Sequence, residues 1–475
     1  MTLLTAFALA LLLPQGGSSE IPFEPIRPAA GEASAPPTAL QGIWVSRGYG
    51  WLVEIGEERI RAFDHSLAGT LEQAGDPIML IEGVQHRFVG DALQITGIPG
   101  SSSVYTWDRL PEIPPSVAHP PTADPLSVFD YFWSVMDIHY AFFEERGIDW
   151  NARRAEYRPR IEAETSEGEL WEILCAMLTG LNDAHMSLNA TVDGVESTFV
   201  DGGCRELDPA LEAAFQSQDR YSPLPRYRSW WHRRYRNIIK EEILGGVFHQ
   251  DADEQVLWGR LGPLGYVNVF GMGGFSDNED EDDMLAEVAA VHQVMSKILT
   301  ELADCDGIIL DITMNSGGYE EVQMAISSHF VDERRIGFRK IPLDVQGSKT
   351  VEPQSFYLFP AAGKRYLGPV SLVTSDYTVS AGEDFTMAMR QLPHVTHRGS
   401  RTRGAISDIL NKRLPNGWEL ALSNEAYLDV DGHCWEAKGI SPQVSVPVFT
   451  REDIEYAHHD AILEIADAML AFEDE

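Results

Sequence analysis

Between Gly42 and about Leu110, apolar and polar residues alternate in short runs: GIWVSRGYGWLVEI, RIRAFDH, HRFVGDALQIT and SSVYTWDRL, separated by Gly, Asp and Ser. A period of two sends successive side chains to opposite faces, so this stretch is expected to form a small antiparallel β-domain. The proline-rich PEIPPSVAHPPTADP makes a joint after it. The period then lengthens. Within residues 126–182, LSVFDYFWSVMDIHYAFFEE, WNARRAEYRPRIEAE and SEGELWEILCAMLTGL carry helical periodicity and predict a helical subdomain. The third run opens on a capping-box pair, Ser166 with Glu169.

From residue 261 strands and helices take turns. LGYVNVFGM reads as a strand, and the acidic-headed run SDNEDEDDMLAEVAAVHQVMSKILTELAD as a long helix with Ser276 as its candidate cap. CDGIILDIT is a buried strand, and NSGG turns it into the helix YEEVQMAISSHFV. VSLVTS is the next buried strand and leads to the helical pattern AGEDFTMAMRQL. Continuous apolar strands alternating with helices imply parallel pairing. The expected fold class is α/β. Its expected divisions are a signal-like segment and linker over 1–38, a small β-domain over 39–122, a helical subdomain over 123–250 and an α/β core over 251–475.

Composition narrows the partners. The chain has 475 residues, 44% of them apolar, and a formal charge of −37 from 73 acidic against 36 basic side chains. Such a surface repels nucleic acid and anionic membranes, so no nucleic-acid partner is expected. One island breaks the acidity, RYSPLPRYRSWWHRRYRNIIKEEIL. It is either an amphipathic helix with arginine stems lying on a core, or a site where Arg226, Arg228 and Arg233 hold a substrate carboxylate. Residues 2–13, TLLTAFALALLL, are too short to span a bilayer and are followed by small residues, as in a secretory signal. This predicts export to the periplasm or cell envelope, with no transmembrane span elsewhere. Cys175, Cys204, Cys305 and Cys434 are too few and scattered for a disulfide scaffold, although an exported chain can pair some of them. No CxxC spacing occurs, so no structural zinc site is expected, and the candidate chemistry below implies no metal or cofactor.

The candidate chemistry gathers around TSDYTVSAGEDF, residues 374–385, where Ser380 stands between strand and helix. Serine there is an ordinary N-cap, or a nucleophile exposed above a strand end. In DITMNSGG, Gly317 and Gly318 put bare backbone N–H groups at another strand-to-helix turn, as an oxyanion site requires. LTGLNDAHMSL places His185 at the end of a helix, with Asp183 two residues before it; His394 and His397 compete for the role of base. HCWEAKGISPQVSV places Glu436 before a Gly-x-x-Pro turn, where a carboxylate can orient the base.

Taken in order, LDITMNSGG, TVSAGEDF, GSRTRG, LPNGWEL and GISPQ resemble the motif series of the tail-specific (C-terminal-processing) serine peptidase family over residues 261–448. The resemblance implies a spiral β/α core like the Clp protease and crotonase group, and hydrolysis of peptide or protein substrates. Ala405 stands where the family's Ser–Lys branch has its lysine, and no PDZ-like segment lies between His185 and Gly265. Both features resemble the tricorn-core and interphotoreceptor retinoid-binding branch. That branch implies Ser380 as nucleophile, His185 as base with Asp183 orienting, Glu436 as support, and Gly317, Gly318 and Ala381 as oxyanion donors. Ala184 stands where tricorn has a serine before its histidine. A binding protein that keeps the fold without turnover is the alternative function.

Overall fold

The computed structural model describes residues 24–25, 38–57, 59–73, 85–96, 101–217, 221–277, 283–342, 352–452 and 454–471. The signal-like segment and most of the linker after it lie outside the described residues. The alternating N-terminal runs form an antiparallel sheet in which strands Gly42–Ser46, Trp51–Ile55 and Ile60–Ser66 follow one another. Its inward face gathers Trp44, Val53, Ile55, Ile60, Ala62, Leu93 and Trp107, a core small enough to depend on what it docks against.

The central sheet runs in the order Phe248–Asp251, Val256–Leu261, Leu264–Val269, Ile308–Asp311, Val370–Thr374, Val395–Gly399 and Val444–Ser445. From Leu264 onward the pairing is parallel, as the unbroken apolar strands require. Alternate side chains divide between two cores. Val267, Val269, Ile308 and Leu310 pack under the helices Met284–Glu301, Glu320–Ser328 and Ala381–Met389. Tyr266, Ile309 and Val373 face the helices Leu224–Asn237 and His459–Ala471. Tyr227, Trp231 and Tyr235 recur every four residues on the first of these two helices, so the basic island covers the sheet with its aromatic stripe. On this face His458 Nε2 lies 2.9 Å from Asp311 Oδ2, with both residues fully buried. The contact ties the last helix to a strand end.

Three local expectations are corrected. His185 is not at the end of a helix. The helix ends at Leu178, and a hairpin follows, Asp183–Val192 paired with Val195–Asp201. Met186, Leu188 and Ala190 alternate inward under the helices Pro125–His139 and Glu167–Leu178, a period of two that the helical reading passed over. The long acidic helix begins at Met284, and Asp283 rather than Ser276 caps it by accepting the Ala286 N–H at 3.0 Å. The second helix of the helical stretch stops at Tyr157, two residues before Pro159. The Ser166–Glu169 capping box is present as expected. All four cysteines are free.

The N-terminal sheet is joined to the core by buried polar contacts. Lys412 Nζ and Asp64 Oδ1 lie 2.5 Å apart and almost wholly out of water. The Tyr49 hydroxyl donates to Glu425, and Lys340 donates to Ser103 Oγ. Removing one member of a buried ion pair strands the other charge. Lys412→Met or Asp64→Leu alone is expected to lower the unfolding free energy by about 3–5 kcal/mol, and the double substitution to recover most of the loss. Denaturant midpoints at constant m-value check this; single and double variants of equal stability would show that the pair does not hold the sheet.

Candidate active site

The turn that carries Ser380 is fixed from beneath. Ser375 Oγ donates to the Thr313 carbonyl (2.6 Å) and Thr378 Oγ1 to the Ile312 carbonyl (2.8 Å), pinning it to the neighbouring strand end. Ser380 itself takes φ 58° and ψ −132°, a conformation that side-chain-bearing residues adopt only where the surroundings impose it. Its N–H donates to the Ala405 carbonyl (2.9 Å), and its own carbonyl accepts the Glu383 and Asp384 N–H groups. The hydroxyl makes no capping bond to the helix Ala381–Met389. Ser380 therefore precedes a helix without serving as its side-chain cap, and its Oγ is left half-exposed at a helix N-terminus, where the dipole favours negative charge.

The glycine turn lies against it. A Cβ on Gly317 would stand 2.5 Å from Ser380 Cβ, and Gly317 has φ +81°, so both contact and conformation require glycine. The Gly317 N–H, expected as an oxyanion donor, instead donates to Asn315 Oδ1 at 2.9 Å. Among the described residues, the N–H groups of Gly318 and Ala381 meet no protein acceptor. Two donors remain for an oxyanion, and the third organises the turn.

His185 begins the strand Asp183–Val192 and is almost fully buried. Its backbone N–H donates to Asp183 Oδ1 (2.9 Å). Burial pushes the imidazole below its ordinary pKa, opposed by the Asp183 and Asp408 charges and the nearby Ser407 carbonyl. Its buried Nδ1 has no hydrogen-bond partner. Glu436 is not that partner: Oε1 accepts Arg146 Nη2 at 2.7 Å, and Oε2 accepts the N–H groups of Ile406 (2.8 Å) and Ser407 (3.1 Å). With alanine at 184 no side chain bridges Glu436 to the ring. Arg146 also reaches Asp183 (3.5 Å) and the Gly404 carbonyl (3.3 Å), so Glu436, Arg146 and Asp183 form one buried unit. Burial, with Asp183 nearby, pushes the Glu436 carboxyl up to about 8, against the pull of Arg146. Ser380 and His185 thus border the same stretch, one at the Ala405 carbonyl and the other near the Ser407 carbonyl.

Residues 264–446 match the sequence profile of peptidase family S41, and residues 121–179 match that of the tricorn protease C1 domain. The core of the chain is thus similar to peptidase family S41. Over 177 residues it is 25% identical to the carboxy-terminal processing protease CtpA of Bacillus subtilis (strain 168), an alignment covering 36% of each chain. The chain thus matches about a third of that relative's length. The crystal structure of a putative peptidase from Parabacteroides merdae ATCC 43184 superimposes with a TM-score of 0.55 at 25% identity, covering 72% of this chain and 97% of that one. The tricorn C1 match falls on the three helices that pack against the His185 strand.

Within the S41 core the rival histidines point elsewhere. His397 is fully buried, with Nε2 2.8 Å from Thr374 Oγ1, and burial lowers its pKa to about 3. The His394 carbonyl accepts the Val370 N–H at the start of the strand Val370–Thr374, the end away from Ser380. Arg226 and Arg233 are exposed on the helix Leu224–Asn237, and Arg228 is ion-paired with Asp208 (2.5 Å). Among the described residues, none of the three bonds to Ser380, His185 or Glu436. Sequence reasoning passed over Arg146, Glu383 and Asn315. Glu383 accepts the N–H groups of Gly404 (2.8 Å) and Ala405 (2.9 Å) from within the SAGED motif, and its place three residues after Ser380 was the available signal.

Gly317→Ala is expected to displace Ser380 and cut the rate of fluorophosphonate labelling at Ser380 by roughly 100-fold or more, since an ångström of misplacement costs about that much. An unchanged labelling rate would show that the contact does not position the serine.

Proposed function

We propose that this chain is a serine endopeptidase in which Ser380 is the nucleophile and His185 the base. The observation that carries the reading is the uncapped Ser380 hydroxyl, held at positive φ at a helix N-terminus and against the Gly317 turn. In this reading Oγ attacks the scissile carbonyl while His185 takes its proton. The carbonyl oxygen gathers charge against the two N–H donors and the helix N-terminus. The proton passes to the leaving amine, an acyl-enzyme remains, and water releases it by the same route. Glu436 acts one step removed: with Arg146 it holds Ile406 and Ser407, the segment beside the ring.

Ser380→Ala and His185→Ala should each lower kcat by about 10⁴-fold or more, because a nucleophile and its base act as a unit. His394→Ala and His397→Ala should stay within about tenfold of the parent, and Glu436→Gln should fall between. The base works neutral, and burial lowers the His185 pKa, so kcat/KM should rise with pH through an acid limb below the ordinary histidine value of about 6.5. An active His185→Ala enzyme, or a limb in the lysine range, would remove His185 from the role. Failure of a fluorophosphonate to label Ser380 would favour a binding module instead.

Export is part of the proposal, supported by the apolar run at 2–13 and the small residues after it. Among the described residues, no helix is long and apolar enough to cross a membrane. Protein recovered from the native host's envelope is expected to begin near residue 20. A cytoplasmic protein that retains Met1 would refute export.

A further inference from the structure

Behind Ser380 stands a group of acids that the proposed reaction does not use. Glu320 starts the helix that follows the Gly318 turn, and Asp384 lies one helical turn after Ser380, donating its N–H to the Ser380 carbonyl at 3.2 Å. Asp408 follows Ser407, and Glu425 begins the strand Glu425–Leu428. One cation serves them. Lys340, only 3% exposed, lies 2.7 Å from Asp408, 2.9 Å from Ser103 Oγ, 3.4 Å from Glu425 and 3.9 Å from Glu320. Its hydrogen bonds go to Asp408 and Ser103 Oγ, while Glu425 Oε2, though 3.4 Å away, accepts none. Asp384 Oδ1 and Glu320 Oε1 are left buried without a hydrogen-bond partner, in side chains whose residues are 3% and 8% exposed. The Asp408 side chain is 53% exposed and puts one edge of the group at the surface, next to Ser407, whose carbonyl lies near His185.

Acids in the first turn of a helix are ordinary when they meet water or free N–H groups. Glu320 Oε2 accepts the Tyr427 hydroxyl at 3.3 Å, but Glu320 Oε1 and Asp384 Oδ1 have no donor, and a buried carboxyl oxygen without one is costly. Burial pushes Glu320 up to about 8 and Glu425 up to about 7, and it raises Asp384 well above the carboxylate range, as befits acids short of a counter-cation. Their placement says where that cation comes from. Glu320 and Asp384 stand in the first turns of the two helices that follow the Gly317–Gly318 turn and Ser380.

We propose that this acidic recess receives the lysine or arginine side chain of the substrate residue whose carbonyl Ser380 attacks. The proposal rests on the peptidase reading and adds the substrate class. A side chain on the residue held by Gly318 and Ala381 leaves the backbone next to the bound carbonyl and lies within reach of both first turns. A guanidinium or ammonium there supplies the donors that Asp384 Oδ1 and Glu320 Oε1 lack, and its charge offsets the excess of four carboxyls over one lysine.

The test begins with a peptide mixture carrying every residue type at each position, with cleavage products read by mass spectrometry. A matched pair is then made on a cleaved sequence, arginine against the neutral isostere citrulline at the residue before the scissile bond. The parent enzyme should favour arginine by at least about 30-fold in kcat/KM, and the ratio should fall at least about tenfold in Glu320→Gln or Asp384→Asn. Calorimetric binding of the same pair to the Ser380→Ala protein should show the same preference. Cleavage with a ratio near one, or in favour of citrulline, overturns the recess proposal. If neither peptide is cut, the hydrolytic reading falls, and the binding ratio still decides the recess: a preference for arginine sustains it and equal affinity overturns it.

Discussion

The arrangement around Ser380 depends on one constraint, that backbone N–H groups of residues 404–407 donate to buried carboxylates. Glu383 accepts from Gly404 and Ala405, and Glu436 accepts from Ile406 and Ser407. The four successive donors are removed from water and satisfied by two side chains. On the same segment the Ala405 carbonyl accepts the Ser380 N–H and the Ser407 carbonyl lies near His185. The serine and the histidine thus each meet this strip of backbone, which two acids hold.

The same acids explain why separate motifs occur together. Thr402 of GSRTRG donates to Glu383 of SAGED, and Thr402 Oγ1 accepts the N–H of Ile440 from GISP (2.7 Å). A Cβ on Gly439 would stand 2.1 Å from the Thr402 carbonyl, so glycine is required there by contact. Three stretches that look like independent signatures form one hydrogen-bonded unit. Burial raises the Glu383 carboxyl to about 7, and the bonds from Thr402, Gly404 and Ala405 oppose that rise. The unit thus trades desolvation against directed hydrogen bonds.

Glu436 illustrates how a residue can be found for the right motif and given the wrong contact. Its place before GISP pointed to support of the histidine. The structure instead spreads its two oxygens over Arg146 and the 406–407 backbone. Gly317 shows the complementary case. A glycine pair at a turn pointed to two oxyanion donors, but the Asn315 side chain takes one N–H, and the glycine serves close approach.

Sequence alone determined whatever is set within a few residues. The period-two runs of the N-terminal sheet, the parallel apolar strands, the Ser166–Glu169 capping box and the aromatic stripe beneath the basic island are local patterns, and each appears as read. So is the strand-to-helix turn that lifts Ser380. Tertiary structure decided what depends on distant partners. His185 was assigned to a helix end because its strand shows itself only when paired, Ser187 with Ala421 and Leu188 with Leu420, under helices that bury alternate side chains. The unpartnered acids beside Lys340 come from separate helices, strands and loops, and nothing in their individual surroundings marks them as neighbours. The physical reason is range. Dihedral preference and amphipathic period act over a turn or a strand, whereas burial and ionic pairing exist only once the whole chain has closed around the groups concerned.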